Sequence, residues 1–323
     1  MKSKTKYNLT DSEIRQIFKN NNIENITEIK ALGNGMFNAV YNICTPNKEY
    51  VLKVAPKHNQ NVMTYEKDML KTELYWYDKI NQNTNISTPT IYFSSINNDN
   101  TINANYFVME KINGVERSKV KLISNQKDKM SAQIIGEFHN VKNDKYGYIQ
   151  NTLHDNWYDA FRSMVENTII DAEKMGKKTK NGEKLLKYID EYKSILQNCE
   201  CTMVNYDLWD ANIICNKNKF TVIDPERTFW GDPIFDFICI DSFTKPLITK
   251  KESIDMHNSI SDVKIEINRE SKIRYAFAQG YMALIMEVER YYRFSPLSEG
   301  WLFDTLASNS TYKQAFKVLE NEK

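Results

Sequence analysis

Apolar positions recur at helical spacing from Leu9 to Asn20, with Ile14, Ile17 and Phe18 on one face and Thr10 or Asp11 placed to cap the first turn. The pattern then tightens toward alternation. Ile26–Gly33, Phe37–Thr45 and Glu49–Ala55 read as strands, the last two joined by Pro46-Asn47-Lys48, turn chemistry suited to a tight hairpin. Helical spacing returns over Glu66–Ile80 through Leu70, Leu74, Tyr77 and Ile80. Thr90–Ile96 and Ala104–Ile112 follow as two strands around the turn Asn97–Asn100. Three strands, a helix and two strands predict a small, mostly antiparallel sheet with one helix packed on it.

Beyond Gly114 the pattern becomes helical over Ser131–Val141, Trp157–Met175, Lys184–Leu196 and Ile273–Tyr292. One hairpin interrupts it: Ile213–Cys215, the turn Asn216–Lys219, then Phe220–Ile223. Internal repeats and long linkers are absent. The predicted class is α+β, with a sheet lobe over residues 1–111, a larger helical lobe over 112–323 and a cleft between them. Trp157, Phe161 and Met164, and Tyr281, Ile285, Val288 and Tyr292, line helix faces that read as core.

The 323 residues suit two domains, and 43 Lys+Arg against 42 Asp+Glu leave a net charge of +1. That balance argues against a dedicated nucleic-acid binder or a basic membrane-surface protein. Met1–Thr10 holds no apolar signal-peptide core, and no stretch approaches the roughly 20 apolar residues of a membrane span. Five cysteines without CxxC spacing and four scattered histidines argue against a disulfide framework or a zinc site. The expected location is the cytoplasm. Monomer and dimer stay open.

Three places carry chemistry. Gly33-Asn34-Gly35 joins two strands, where glycines let backbone N–H groups approach phosphate oxygens; an ordinary hairpin turn has the same look. Lys53 sits between Leu52 and Val54 on a strand with two apolar faces, so its ammonium should be buried against an anion. Glu73 in the next helix is the first candidate and Glu66 the second. In Val204–Asn212 and Val222–Asp224, a symmetric turn pairs Cys215 with Phe220 and sets Asn212 beside Asp224 at the open end of the hairpin. These are hard oxygen ligands suited to Mg²⁺ shared with phosphates, and Asp207 lies on the approaching loop, near enough to face a substrate hydroxyl.

Asp207-x₄-Asn212, Ile223-Asp224 and Gly231-Asp232-Pro233 with Asp236 together resemble the signature of aminoglycoside phosphotransferases and their choline, fructosamine and homoserine kinase relatives. Gly33–Tyr41 resembles that family's nucleotide loop, Val51–Val54 its lysine strand and Tyr106–Glu110 its hinge. Ile135–His139 resembles the helix before its catalytic loop. The matches keep their order over roughly residues 27 to 245. The resemblance implies the bilobal protein-kinase-like fold and transfer of a phosphoryl group from ATP or GTP to a small-molecule hydroxyl. By resemblance, Lys53, braced by Glu73, holds the α/β-phosphates under Gly33, Asn34 and Gly35. Asp207 orients or accepts the hydroxyl proton, and Asn212 and Asp224 bind Mg²⁺. Backbone groups around Met109–Lys111 read the base, with Phe107 limiting the depth of that pocket.

One position departs from the family: Asn205 stands where a histidine usually lies two residues before the catalytic Asp. Asn donates and accepts hydrogen bonds but is shorter. A nucleotide-binding protein without catalysis is the alternative that this departure motivates. The acceptor is open between an aminoglycoside and a metabolite such as choline, a sugar or a fructosamine. Glu287, Glu289, Glu299 and Asp304 are candidates to attract a cationic one, though solvated helix faces explain them equally. The short interval from Asp224 to Gly231 leaves no activation segment for a peptide substrate.

Overall fold

The computed structural model describes residues 4–33, 37–97, 102–121, 124–217 and 219–322. Thr10 starts helix α1 (Asp11–Asn20) through a reciprocal cap: its hydroxyl accepts the Glu13 N–H, and the Glu13 carboxylate accepts the Thr10 N–H at 2.7 Å. Strands β1 (Glu28–Leu32), β2 (Ala39–Cys44) and β3 (Glu49–Val54) follow. Helix α2 (Met69–Asn83) then leads to β4 (Ile91–Ser95) and β5 (Tyr106–Glu110). The five strands form one antiparallel sheet in the order β1-β2-β3-β5-β4.

Strand alternation sorts this sheet's side chains. Leu52, Val54 and Val108 point toward Ile14, Ile17 and Phe18 of α1. Val51, Phe107 and Met109 point toward Leu70 and Tyr77 of α2. The sequence pattern places one helix on the sheet; the structure has α1 on one face and α2 on the other. Each face thus carries a helix, and Lys53 is only 2% exposed.

The helical part comprises α3 (Ser124–His139), α4 (Trp157–Lys174), α5 (Lys180–Glu191), α6 (Lys193–Gln197), α7 (Lys251–Ile260), α8 (Arg269–Arg293) and α9 (Glu299–Asn321). Trp157, Phe161, Tyr206, Phe229, Phe235 and Tyr281 pack ring against ring at its centre. Helix α9 escapes the sequence pattern for a physical reason. The inward face of its first half carries only Gly300, Ser308 and Thr311, while Leu302, Phe303 and Leu306 face outward. The apolar stripe that marks an amphipathic helix is confined to its second half, through Tyr312, Phe316 and Leu319.

Two short ladders position the loops that matter. Strand β6 (Val115–Glu116) pairs with β8 (Ile213–Asn216), which pairs with β9 (Lys219–Val222) in the expected register, Cys215 opposite Phe220. Gly114 permits this contact, since a Cβ there would lie 2.6 Å from the Cys215 carbonyl oxygen. Strand β7 (Thr202–Val204) pairs with β10 (Phe229–Gly231), Val204 opposite Phe229. Residues 205–212 and 223–228 are therefore neighbouring segments held at both ends by hydrogen-bonded ladders. No helix among the described residues is long and apolar enough to cross a membrane.

Candidate active site

The Lys53 ammonium reaches three carboxylates from three parts of the chain. It lies 2.7 Å from Glu73 Oε2 on α2, 2.9 Å from Asp224 Oδ1 and 2.9 Å from Glu226 Oε2. Burial alone would lower the lysine pKa; Asp224, Glu226 and Glu73 overcome it and hold the pKa well above the ordinary value. Glu66, the second candidate partner, instead pairs with Arg293. Glu226 went unnoticed in the sequence, although its position two residues past Asp224 was a signal: the intervening Pro225 opens a single turn that returns the carboxylate to the same place.

Asn212 and Asp224 meet as the hairpin register requires, with the Ile223 N–H donating to the Asn212 carbonyl at 3.0 Å. Asn212 Nδ2 donates to the Asp207 carbonyl at 2.8 Å and to Asp207 Oδ2 at 3.2 Å. The indole N–H of Trp209 donates to Asp207 Oδ1 at 2.9 Å, and Arg227 Nε stands 3.9 Å from the same oxygen. Burial pushes the Asp207 carboxyl up to about 6, with the Arg227 guanidinium opposing it. Asp224 and Tyr206 both take left-handed backbone conformations, with φ of 56° and 58°. Such strain persists where surrounding bonds over-determine it: Asp224 N–H donates to Tyr77 Oη at 3.1 Å and Tyr206 N–H to Asp236 Oδ1 at 2.7 Å.

Asn205 occupies the place of the expected histidine. Its Oδ1 accepts the Asp207 N–H at 3.1 Å and its Nδ2 reaches Thr228 Oγ1 at 3.5 Å. His139 from α3 bonds Asp236 Oδ2 at 3.2 Å and His257 at 2.9 Å, all buried, so it braces the loop from behind.

A cavity of about 490 Å³ opens between the sheet and the hairpin. Val40, Val51 and Met109 line it from above, Ile214 and Ile223 from below, and Lys53, Asn212 and Asp224 at its polar end. Gly33, with φ of 69°, and Lys111 stand on its rim. Asn34 and Gly35 lie outside the described residues. Phe107 is fully buried with its ring centroid 6.4 Å from that of Tyr77, and is not among the side chains lining this cavity. A second cavity, about 980 Å³, touches the far side of the same loop at Trp209, Asp210 and Ala211. Asp210 is pinned there by Arg117 and Lys127 at 2.7 and 2.9 Å.

The acidic residues that looked available to a cation are mostly engaged. Glu289 binds Arg227 at 2.7 Å and Arg293 at 3.0 Å, and Glu287 accepts the Tyr312 hydroxyl at 2.9 Å. Glu299 is exposed in the first turn of α9, and burial raises the Asp304 carboxyl to about 7.

A sheet lobe, a helical lobe and a lysine-carboxylate centre between them define a small-molecule kinase of the protein-kinase-like fold, a phosphotransferase with an alcohol group as acceptor. The fructosamine kinase family model matches residues 10–247, and the chain belongs to that family. No curated protein matches the chain significantly. Among solved structures, it resembles a protein of Haemophilus somnus 129PT provisionally assigned as a fructosamine-3-kinase. Identity is 17% with a TM-score of 0.66, covering 92% of this chain and 96% of that one. It also resembles aminoglycoside phosphotransferase APH(2'')-IIa in a ternary complex with streptomycin and ATP, at 18% identity and TM-score 0.60 over 97% of each chain. A thermostable mutant of APH(4)-Ia bound to AMP-PNP and hygromycin B aligns at 10% identity and TM-score 0.63, over 95% and 98%.

Proposed function

We propose that this protein transfers the γ-phosphate of ATP to a hydroxyl of a fructosamine-type acceptor, with Mg²⁺ at the phosphates. The observation that carries the reading is the meeting of Lys53 with Glu73, Asp224 and Glu226 at the polar end of the inter-lobe cavity. Three carboxylates around one ammonium leave an excess of negative charge on hard oxygens, which suits a divalent cation; Asp224, Glu226 and Asn212 are the residues to hold it. When bound, the ion neutralises charge on the phosphate oxygens.

In this reading residues 1–111 hold the nucleotide, with its base against Met109 and the backbone to Lys111 and its phosphates under Gly33–Gly35. Residues 112–323 supply the catalytic loop and the acceptor's side of the cleft. Lys53 exchanges its contacts with Asp224 and Glu226 for the α/β-phosphates and retains its contact with Glu73. Asp207 takes the hydroxyl proton at a carboxylate oxygen. A carboxyl near 6 is ionised at neutral pH and is a stronger base than an ordinary aspartate. Trp209 and Asn212 fix the direction of that carboxylate, and catalysis rests on alignment and charge neutralisation.

The family match favours a fructosamine over an aminoglycoside acceptor. A phosphorylation panel with ATP or GTP, pairing fructosyl-amines against aminoglycosides, choline and plain sugars, should give the highest kcat/KM with ATP and a fructosyl-amine. Asp207→Ala should lower that rate by roughly 10² to 10⁴-fold. Undiminished turnover in this variant would remove Asp207 from the mechanism, and transfer to aminoglycosides alone would replace the acceptor.

A further inference from the structure

Asn38 is a polar residue buried to 5% exposure immediately before β2, on the strand that follows the Gly33 turn. Its Nδ2 donates to Glu226 Oε2 at 2.7 Å, across 188 positions of sequence. The same Glu226 oxygen accepts Lys53 at 2.9 Å. Two donors from the sheet lobe thus hold one carboxylate oxygen of the segment after the hairpin. They differ in what a nucleotide does to them. Lys53 is the group that phosphates attract, whereas an uncharged amide has no such pull and stays with the carboxylate.

We propose that Asn38 is a positioning residue that keeps Glu226 oriented toward the divalent cation once the nucleotide has drawn Lys53 away. The inference rests on the nucleotide reading above and adds to it a specific coupling: the strand leaving the nucleotide loop sets the geometry of a carboxylate in the other lobe. A half-buried carboxylate such as Glu226 keeps one direction only while its hydrogen-bond donors stay in place, and partners of this kind typically change metal affinity by about 10- to 100-fold when removed. Asn38 Oδ1 and Glu73 Oε1 are both buried without a hydrogen-bond partner among the described residues. Unused acceptor capacity therefore remains on either side of the Lys53–Glu226 contact.

The test is calorimetric binding of AMP-PNP to the full chain, in EDTA and across a Mg²⁺ titration, with a thermal melt of each variant. Asn38→Ala should raise the Mg²⁺ concentration needed for half-maximal tightening by about 10-fold, with metal-free AMP-PNP affinity unchanged within about twofold. Asn38→Asp keeps the size but sets a carboxylate against Glu226, and should lose at least as much; it remains informative if the alanine variant melts early. Glu226→Ala should lose the same Mg²⁺-dependent tightening, and Asn38→Ala added to it should cost nothing more. A Mg²⁺ response in Asn38→Ala equal to that of the unaltered chain overturns the proposal. So does an equal loss with and without metal, or a full additional loss in the double variant. An unaltered chain that binds no AMP-PNP under any condition overturns the nucleotide reading and this proposal together.

Discussion

Asn205 Oδ1 accepts the backbone N–H of Asp207 at 3.1 Å, two residues further along the same loop. Its Nδ2 crosses to Thr228 because β7 and β10 place Val204 opposite Phe229. The short amide thereby links the loop carrying Asp207 to the segment carrying Asp224. Asn205→Ala should remove both bonds, lower kcat by about 10-fold and leave KM for ATP within about twofold, because Asn205 does not line the cavity proposed for the nucleotide. Steady-state kinetics check this. A changed KM with an unchanged kcat would assign Asn205 to binding.

Lys53 is the sole cation within salt-bridge distance of Glu73 and Asp224 among the described residues. Lys53→Met leaves these carboxylates and Glu226 without its ammonium, and removing one partner of a buried ion pair costs about 3–5 kcal/mol. The melting temperature should fall accordingly. Millimolar Mg²⁺ should restore part of the loss in Lys53→Met and very little in Lys53→Met combined with Asp224→Ala. Differential scanning calorimetry with Mg²⁺ and with EDTA separates the two.

His257 is fully buried between His139 and Asn258. Burial first, and the neighbouring His139 second, lower its pKa from 6.5 to about 3. The folded state therefore favours neutral His257, while the unfolded chain binds a proton below 6.5. Its stability contribution is complete above pH 6.5 and drains as pH falls toward 3, at up to about 1.4 kcal/mol per pH unit. Urea midpoints at pH 7, 6 and 5 should decline, and His257→Gln should flatten that decline.

Asp236 accepts the Tyr206 N–H through one oxygen and faces His139 through the other. Asp236→Ala should strand both buried groups, at about 1–3 kcal/mol each. Chemical denaturation should register a loss of that order, and hydrogen exchange should rise at Tyr206 before it rises in α8.

The order of strands and helices up to residue 110, the β8–β9 register and the burial of Lys53 were legible because each is set locally. Alternation fixes a strand's faces, a symmetric four-residue turn fixes a hairpin's pairing, and a lysine between apolar neighbours on both faces must find an anion. The choice of Glu73 over Glu66 was legible for the same reason, since Glu73 stands on the α2 face that carries Leu70 and Tyr77 toward the sheet. Helix α9 was hidden because its first half buries Gly300 and Ser308 and exposes Leu302, Phe303 and Leu306, which blurs the apolar period. Glu226, Arg227 and Asn38 were hidden because their partners lie across the lobe junction or on distant helices.

The chain by itself determined which segments pair and which residues can carry charge into a cleft, since backbone periodicity and desolvation act within a few positions. Only the tertiary structure decided which charges meet. Asn38, Lys53, Glu73 and Glu226 converge because α2 packs into the helical lobe's core, Trp76 on Trp230, and an ion pair spanning such a junction leaves no periodic trace in sequence.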